Sequence, residues 1–124
     1  MKSESYKLGQ DGEEAAVAHL RKQGYDILEQ RWHLHHLELD IVALDRSSGE
    51  IVFVEVKTRS SGQYGSPEEA VDYKKVMATV RAADAYIKQY YRPEPWRFDI
   101  ISVMGSAPNF KIDHIKEAFY TPLG

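Results

Sequence analysis

The segment Ile51-Val52-Phe53-Val54-Glu55-Val56-Lys57 constrains this chain more than any other. Side chains alternate across a β-strand, so Ile51, Phe53, Glu55 and Lys57 share one face, while Val52, Val54 and Val56 share the other. A strand that is apolar on both faces belongs in the middle of a sheet with a layer packed above and below it. Glu55 and Lys57 stand where that pattern asks for core. An unpaired charge in such a place costs several kcal/mol, so this end of the strand needs a partner, a bound ion or an opening to water.

The flanking sequence supplies the layers. Residues 5–23 read as a helix with Ala15, Ala16, Val17 and Leu20 on its apolar side and Gly24 where a C-terminal glycine belongs. Gly9 and Gly12 each cost such a helix about 1 kcal/mol relative to alanine. They mark either a close approach of another group or a frayed first turn. Strands are predicted over 25–32, 37–44 and 51–58, and the turn chemistry of Asp45-Arg46-Ser47-Ser48-Gly49-Glu50 makes the second and third an antiparallel hairpin. A long helix follows over 66–92. Ser66, Pro67 and Glu69 form its capping signal, Tyr73, Met77, Val80, Ile87 and Tyr91 recur at helical spacing, and Pro93 and Pro95 end it. A fourth strand over 98–104 precedes a tail in which 110–119 begins as a short strand. The order α-β-β-β-α-β predicts an α/β fold, a mixed sheet flanked by helices, and 124 residues provide for one domain spanning 1–124.

Composition narrows the chemistry. The chain has no cysteine, which removes disulfides, thiolate zinc sites and cysteine nucleophiles together. A formal net charge of −3 argues against binding nucleic acid by bulk charge, yet it suits a carboxylate-rich metal site. No apolar run is long enough to span a bilayer and the first residues lack a signal peptide's apolar core, so the expectation is a cytoplasmic protein without a membrane partner.

The second strand repeats the anomaly of the third. Alternation places Asp40 on the face of Val42 and Leu44, towards a core. Across the hairpin, Asp40 and Glu55 would project from neighbouring strands to the same side. Two carboxylates that close repel unless a proton or a cation lies between them, and hard oxygen ligands in this number suit Mg²⁺ or Mn²⁺. The competing reading is structural: a Glu55–Lys57 ion pair at a strand end, with Asp40 half exposed.

Asp40 followed by Glu55-Val56-Lys57 on the next strand is similar to the signature of the PD-(D/E)xK nuclease superfamily. The wider sequence resembles the YraN family of predicted nucleases, related to Holliday-junction resolvases. The matching segments are Gly12-Glu13 with Ala16, Glu38-Leu39-Asp40, Val54-Glu55-Val56-Lys57-Thr58-Arg59, Gly65-Ser66-Pro67-Glu68-Glu69-Ala70-Val71, Lys75 and Arg97-Phe98-Asp99. The resemblance implies a restriction-endonuclease-like fold and a divalent-metal-dependent endonuclease acting on DNA, including branched or structured DNA. It implies Asp40 and Glu55 as metal ligands alongside the Val56 carbonyl, with Lys57 positioning or deprotonating a water or stabilising charge on phosphate. The acid of the first helix maps to Glu13, as a catalytic and metal-binding residue. Helical geometry agrees, because Glu13 shares a face with Ala16, Val17 and Leu20 whereas Glu14 does not. Arg59 and Lys75 are the implied substrate contacts. Cleavage of a four-way junction would need two sites, and hence a homodimer.

The sequence departs from that family at Leu37, where glycine is usual, at Leu39, where the superfamily's name has proline, and at Arg31-Trp32-His33, where an Asn-aromatic-Arg element is expected. The alternative function is a nucleic-acid-binding or protein-interaction module that keeps the fold without turnover. Secondary features have plainer readings. Lys74, Arg81 and Lys88 form a stripe, read as a solvated helix face rather than a phosphate ridge. His33, His35 and His36 read as strand-edge or loop residues rather than a zinc site. Tyr90, Tyr91 and Trp96 read as core aromatics at a helix-to-strand corner rather than a base-stacking platform. Asp99 is expected to pair with an arginine or anchor the sheet.

Overall fold

A computed structural model describes residues 4–60 and 73–118. The elements follow in the order α1 (Glu4–Lys22), β1 (Tyr25–Leu34), β2 (Leu37–Asp45), β3 (Glu50–Arg59), α2 (Tyr73–Tyr90), β4 (Trp96–Met104) and β5 (Lys111–Ile115). They build one five-stranded mixed sheet in the order β1-β2-β3-β4-β5. β1, β2 and β3 are joined antiparallel, β3 and β4 run parallel, and β5 returns antiparallel along β4. The parallel step requires a crossover, and α2 lies on it. The capping residues Ser66, Pro67 and Glu69 fall outside the described residues, as does the Phe119 end of the tail. Among the described residues, no helix is long and apolar enough to cross a membrane.

The doubly apolar pattern of β3 has the expected consequence. Val52 and Val54 pack with Ile41, Ala43, Ile101 and Val103 beneath Ala16, Val17 and Leu20 of α1. Ile51 and Phe53 pack with Val42 and Phe98 beneath Ala82, Ala83 and Tyr86 of α2. Tyr86 presents its ring edgewise to Phe53 at 6.0 Å and to Trp32 at 5.4 Å, the geometry that aromatic quadrupoles favour. The expected core corner of Tyr90, Tyr91 and Trp96 holds only in part. All three are exposed, and only Tyr90 reaches the core edge, where it packs on Tyr86 and its hydroxyl accepts a hydrogen bond from Trp32. The helix breaks at Tyr91, whose φ of 52° carries the chain off the sheet before Pro93.

Buried charge holds one end of the sheet together. The Arg97 guanidinium, at the start of β4, donates to Asp99, Asp45, Glu50 and the Tyr25 hydroxyl at 2.7–3.0 Å. These bonds tie the first residues of β1, β3 and β4 to the last residue of β2. Burial alone would raise the Asp99 carboxyl, but hydrogen bonds from His114, Arg97 and the Glu117 amide outweigh it and hold the group below its ordinary range. Asp99 therefore both pairs with an arginine and anchors the sheet.

α1 settles onto the opposite end through Gly12. A Cβ at this position would lie 2.1 Å from Thr58 Oγ1 and 2.6 Å from its Cγ2, so the glycine is what lets helix and strand meet. Helix propensity alone would make Gly12→Ala stabilising by about 1 kcal/mol. The contact reverses the sign. Gly12→Ala is expected to destabilise by about 1–3 kcal/mol in urea unfolding, with most of the loss recovered in Gly12→Ala/Thr58→Gly. A stabilised single variant would show that the helix does not sit this close.

Candidate functional site

At the end of the sheet away from Arg97, its strands part. The β2–β3 ladder runs from Asp45 opposite Glu50 to Ile41 opposite Val54. Beyond that pair the Val56 amide donates instead to Asp40 Oδ2, at 2.9 Å. A strand N–H points sideways within the sheet, so its acceptor lies beside β3 and not above it. This corrects the expected placement of Asp40. Its carboxylate lies in the gap between the strands rather than on the face of Val42, and Leu39 joins the same core cluster as Val42, so strict alternation breaks at Asp40. On the other side of β2, Gln30 pairs with Ile41 and Trp32 with Leu39. Arg31, between them, adopts a φ of 51°, in the left-handed region. An arginine there is uncommon, and such positions cluster where a side chain must be re-aimed.

The gap opens into a cleft of about 600 Å³. β1 contributes Arg31, β2 Asp40, and β3 the run from Glu55 to Thr58. α1 adds Tyr6, Gly9, Gln10 and Glu13, successive positions on one helical face. Glu55 is 8% exposed, and its Oε1 lies 3.2 Å from Lys75 Nζ and 3.5 Å from Lys57 Nζ. Glu13 and Arg31 pair at 2.5 Å at the cleft wall. Glu14 is exposed, as helical geometry anticipates.

The electrostatics are unbalanced in one place. Burial, then the charge of Glu55, pushes the Asp40 carboxyl up to about 7, against the opposing pull of the Val56 amide. Burial also works against the Lys75 ammonium, but Glu55 and Asp40 outweigh it and raise its pKa. The fully ionised cleft thus holds three carboxylates and three cations, with one carboxylate reluctant to ionise.

The sequence-predicted site residues distribute as follows. Asp40, Glu55, Val56, Lys57 and Glu13 meet at one cleft, and Lys75 reaches it from α2. Arg59 lies one residue past the cleft wall at Thr58, half-buried opposite Met104. The exposed Lys74, Arg81 and Lys88 face water, with Lys88 paired to Asp84. His33, His35 and His36 are exposed around the β1–β2 turn, where His33 meets Glu38 at 3.4 Å. Among the described residues no group of three or more His, Asp and Glu side chains is gathered to hold a metal. A cation in the cleft would rest on two carboxylates with backbone and solvent oxygens, because the Glu13 carboxylate is engaged by Arg31. Tyr6, Gln10 and Arg31 join the cleft although no sequence motif places them there. The spacing of Tyr6, Gln10 and Glu13 on one helical face was the available signal for the first two.

Fold and cleft together define a mixed α/β protein whose sheet opens at one end into a pocket of paired acids and lysines. The family described as "Uncharacterised protein family UPF0102" matches residues 12–103, and the chain belongs to that family. It is 55% identical to a UPF0102 protein of Bacteroides thetaiotaomicron over 121 residues, 98% of each chain. It is 52% identical to one of Bacteroides fragilis over 94% of each chain, and 43% identical to one of Chlorobium phaeobacteroides over 94% of this chain and 96% of that one.

The raised Asp40 carboxyl has a consequence for stability. Between the unfolded value of about 4 and the folded value of about 7, the native state keeps a proton that the unfolded chain has lost. Raising the pH through this window therefore weakens the fold, and the penalty is complete above about 7. Asp40→Asn keeps an acceptor for the Val56 amide and removes the charge. Its thermal midpoint is expected to exceed the wild-type value by several degrees at about pH 8 and to approach it at about pH 4. An equal or lower midpoint at the higher pH would show that the Asp40 charge is not destabilised by its burial beside Glu55.

Proposed function

We propose that this protein is a divalent-metal-dependent endonuclease that hydrolyses phosphodiesters in DNA. The observation that carries this reading is the meeting of Asp40, Glu55 and Lys57 at the parted end of β2 and β3, with Asp40 held up to about 7 beside Glu55. A structural ion pair accounts for Glu55, which has two lysines. It gives no reason to bury a second carboxylate next to it. The resemblance to the PD-(D/E)xK superfamily supports the same reading and carries with it the restriction-endonuclease-like description of the fold.

The donor set fits Mg²⁺ or Mn²⁺: Asp40 and Glu55 carboxylates, and the Val56 carbonyl implied by the resemblance, are all hard oxygens. When bound, such an ion supplies Lewis-acid polarisation of the phosphate and lowers the pKa of a water. The chain's own residues do the rest. The Asp40 carboxylate is fixed by the Val56 amide, so it is positioned before any ligand arrives. Hydrolysis adds a water oxygen to phosphorus and breaks one P–O bond to a sugar, which leaves with a proton. Lys57 lies where its ammonium can hold the attacking water or offset the charge that grows on the phosphate oxygens, and Lys75 adds a second positive charge. The alternative of an idle binding module loses ground because the acids and lysines are all present and face one cleft.

Incubation with labelled single-stranded, duplex, flap and four-way DNA is expected to give cleavage that requires Mg²⁺ or Mn²⁺ and is abolished by chelation. Asp40→Ala and Glu55→Gln should each lower the rate by at least about a hundredfold. The thermal midpoint of Asp40→Ala should be unchanged or higher. Metal-dependent cleavage that survives both substitutions would refute the assignment. Large losses of stability in both variants would instead favour the structural ion-pair reading.

A further inference from the structure

Arg31 is the least explained residue of the cleft. Its backbone is held at a φ of 51° within a strand, and its side chain is turned to the α1 side, opposite to Trp32 in the α2-side core. There it meets Glu13 at 2.5 Å, and the Tyr6 side chain also bears on its guanidinium. The Arg31 side chain remains 45% exposed, so the group is held in place without being hidden. One turn away, Gly9 has nothing within 4 Å of where a Cβ would stand, which leaves open space along the helix between Tyr6 and Glu13. Tyr6 itself is 49% exposed at this edge.

We propose that Tyr6, Arg31 and Glu13 form a subsite for one unpaired DNA strand, with a phosphate gripped by Arg31 in exchange for Glu13 and an adjacent base stacked on Tyr6. This rests on the nuclease reading above and names the form of its substrate. Three observations favour a single strand over an intact duplex. A stacking tyrosine needs an exposed base plane, which a duplex hides. The cleft has the volume of a small-ligand site rather than the breadth of a double helix. Its walls carry as many carboxylates as cations, so a duplex finds no broad basic surface there. Arg31 suits the task chemically, since a guanidinium fork holds phosphate in two parallel bonds just as it holds a carboxylate. Glu13 acts as the internal competitor. It keeps Arg31 aimed while the subsite is vacant and gives it up when a phosphate arrives.

The test is fluorescence anisotropy with a short labelled single strand and its matched duplex, in EDTA, so that binding is read without turnover. Wild-type protein should prefer the single strand. Arg31→Ala and Tyr6→Ala should each weaken it about tenfold, with Tyr6→Phe near wild type. Arg31→Ala should also flatten the salt dependence by about 0.7 in the log–log slope, whereas Arg31→Lys keeps the slope and loses part of the affinity. Glu13→Gln should tighten binding, because the competitor is weakened, an effect that a purely structural pair would not produce. Thermal midpoints should stay near wild type for the Arg31 variants, given the exposure of that side chain. If wild type binds DNA but Arg31→Ala and Glu13→Gln bind the single strand equally well, the subsite is wrong and the nuclease reading stands. Equal or tighter binding of the duplex overturns the subsite as well. If wild type neither binds nor cleaves any DNA form, the nuclease reading itself fails.

Discussion

The organising constraint in this molecule is the burial of one carboxylate beside another at the place where β2 and β3 separate. Asp40 and Glu55 are both largely withdrawn from water, and the Val56 amide alone cannot restore Asp40 to its ordinary range. The two ends of the same sheet handle buried charge in opposite ways. At one end Arg97 meets three carboxylates and a tyrosine hydroxyl with full hydrogen bonding, so burial there locks the strands in register. At the other end the charges stay imperfectly matched around a cleft. A sheet clamped at one end can hold such a mismatch at the other without coming apart.

That division of labour explains why the cleft lies where it does. The α1 helix closes against β3 through Gly12 and Thr58, and immediately beyond that contact its face turns from apolar to Glu13, Gln10 and Tyr6. α2 brings Lys75 from the opposite side of the sheet to the same Glu55. Three layers therefore meet at one strand end, and each supplies a charge. The left-handed Arg31 belongs to the same construction, since its backbone turns a cation towards the α1 wall. The proposed phosphodiester hydrolysis would draw on these parts: oxygens for a cation, ammonium groups for developing charge, and a guanidinium for a phosphate outside the reaction centre.

Much of this was legible in the sequence because it depends on periodicity. The doubly apolar run of β3 dictated a central strand, the turn after Asp45 dictated the hairpin, and the helical face of Ala16, Val17 and Leu20 agreed with the resemblance in favouring Glu13 over Glu14. The Glu55-Val56-Lys57 ending marked the end of the sheet at which the cleft opens. What escaped was whatever alternation cannot encode. Alternation assigns Asp40 to a face, yet its carboxylate lies in the sheet's plane, where it takes the Val56 amide in place of a ladder partner. Arg31 figures in the sequence only within a departure from the resembled family's Asn-aromatic-Arg element, since nothing in its neighbours announces a positive φ. The Arg97 cluster joins residues from Tyr25 to Asp99 across four strands, and sequence separation hid all of it except the pairing of Asp99 with an arginine. Aromatics at a helix-to-strand corner usually pack into the core, but the backbone turn at Tyr91 carries Tyr91 and Trp96 outward.

Calorimetric titration of Mn²⁺ into the protein just below pH 7, repeated in buffers of different ionisation heat, addresses the carboxylate pair most directly. Binding should be saturable and should release about half a proton per chain, because a cation displaces the proton that Asp40 holds in about half of the molecules at a pH close to its folded value of about 7. Absence of binding at millimolar Mn²⁺, or binding with no release of protons, would contradict it.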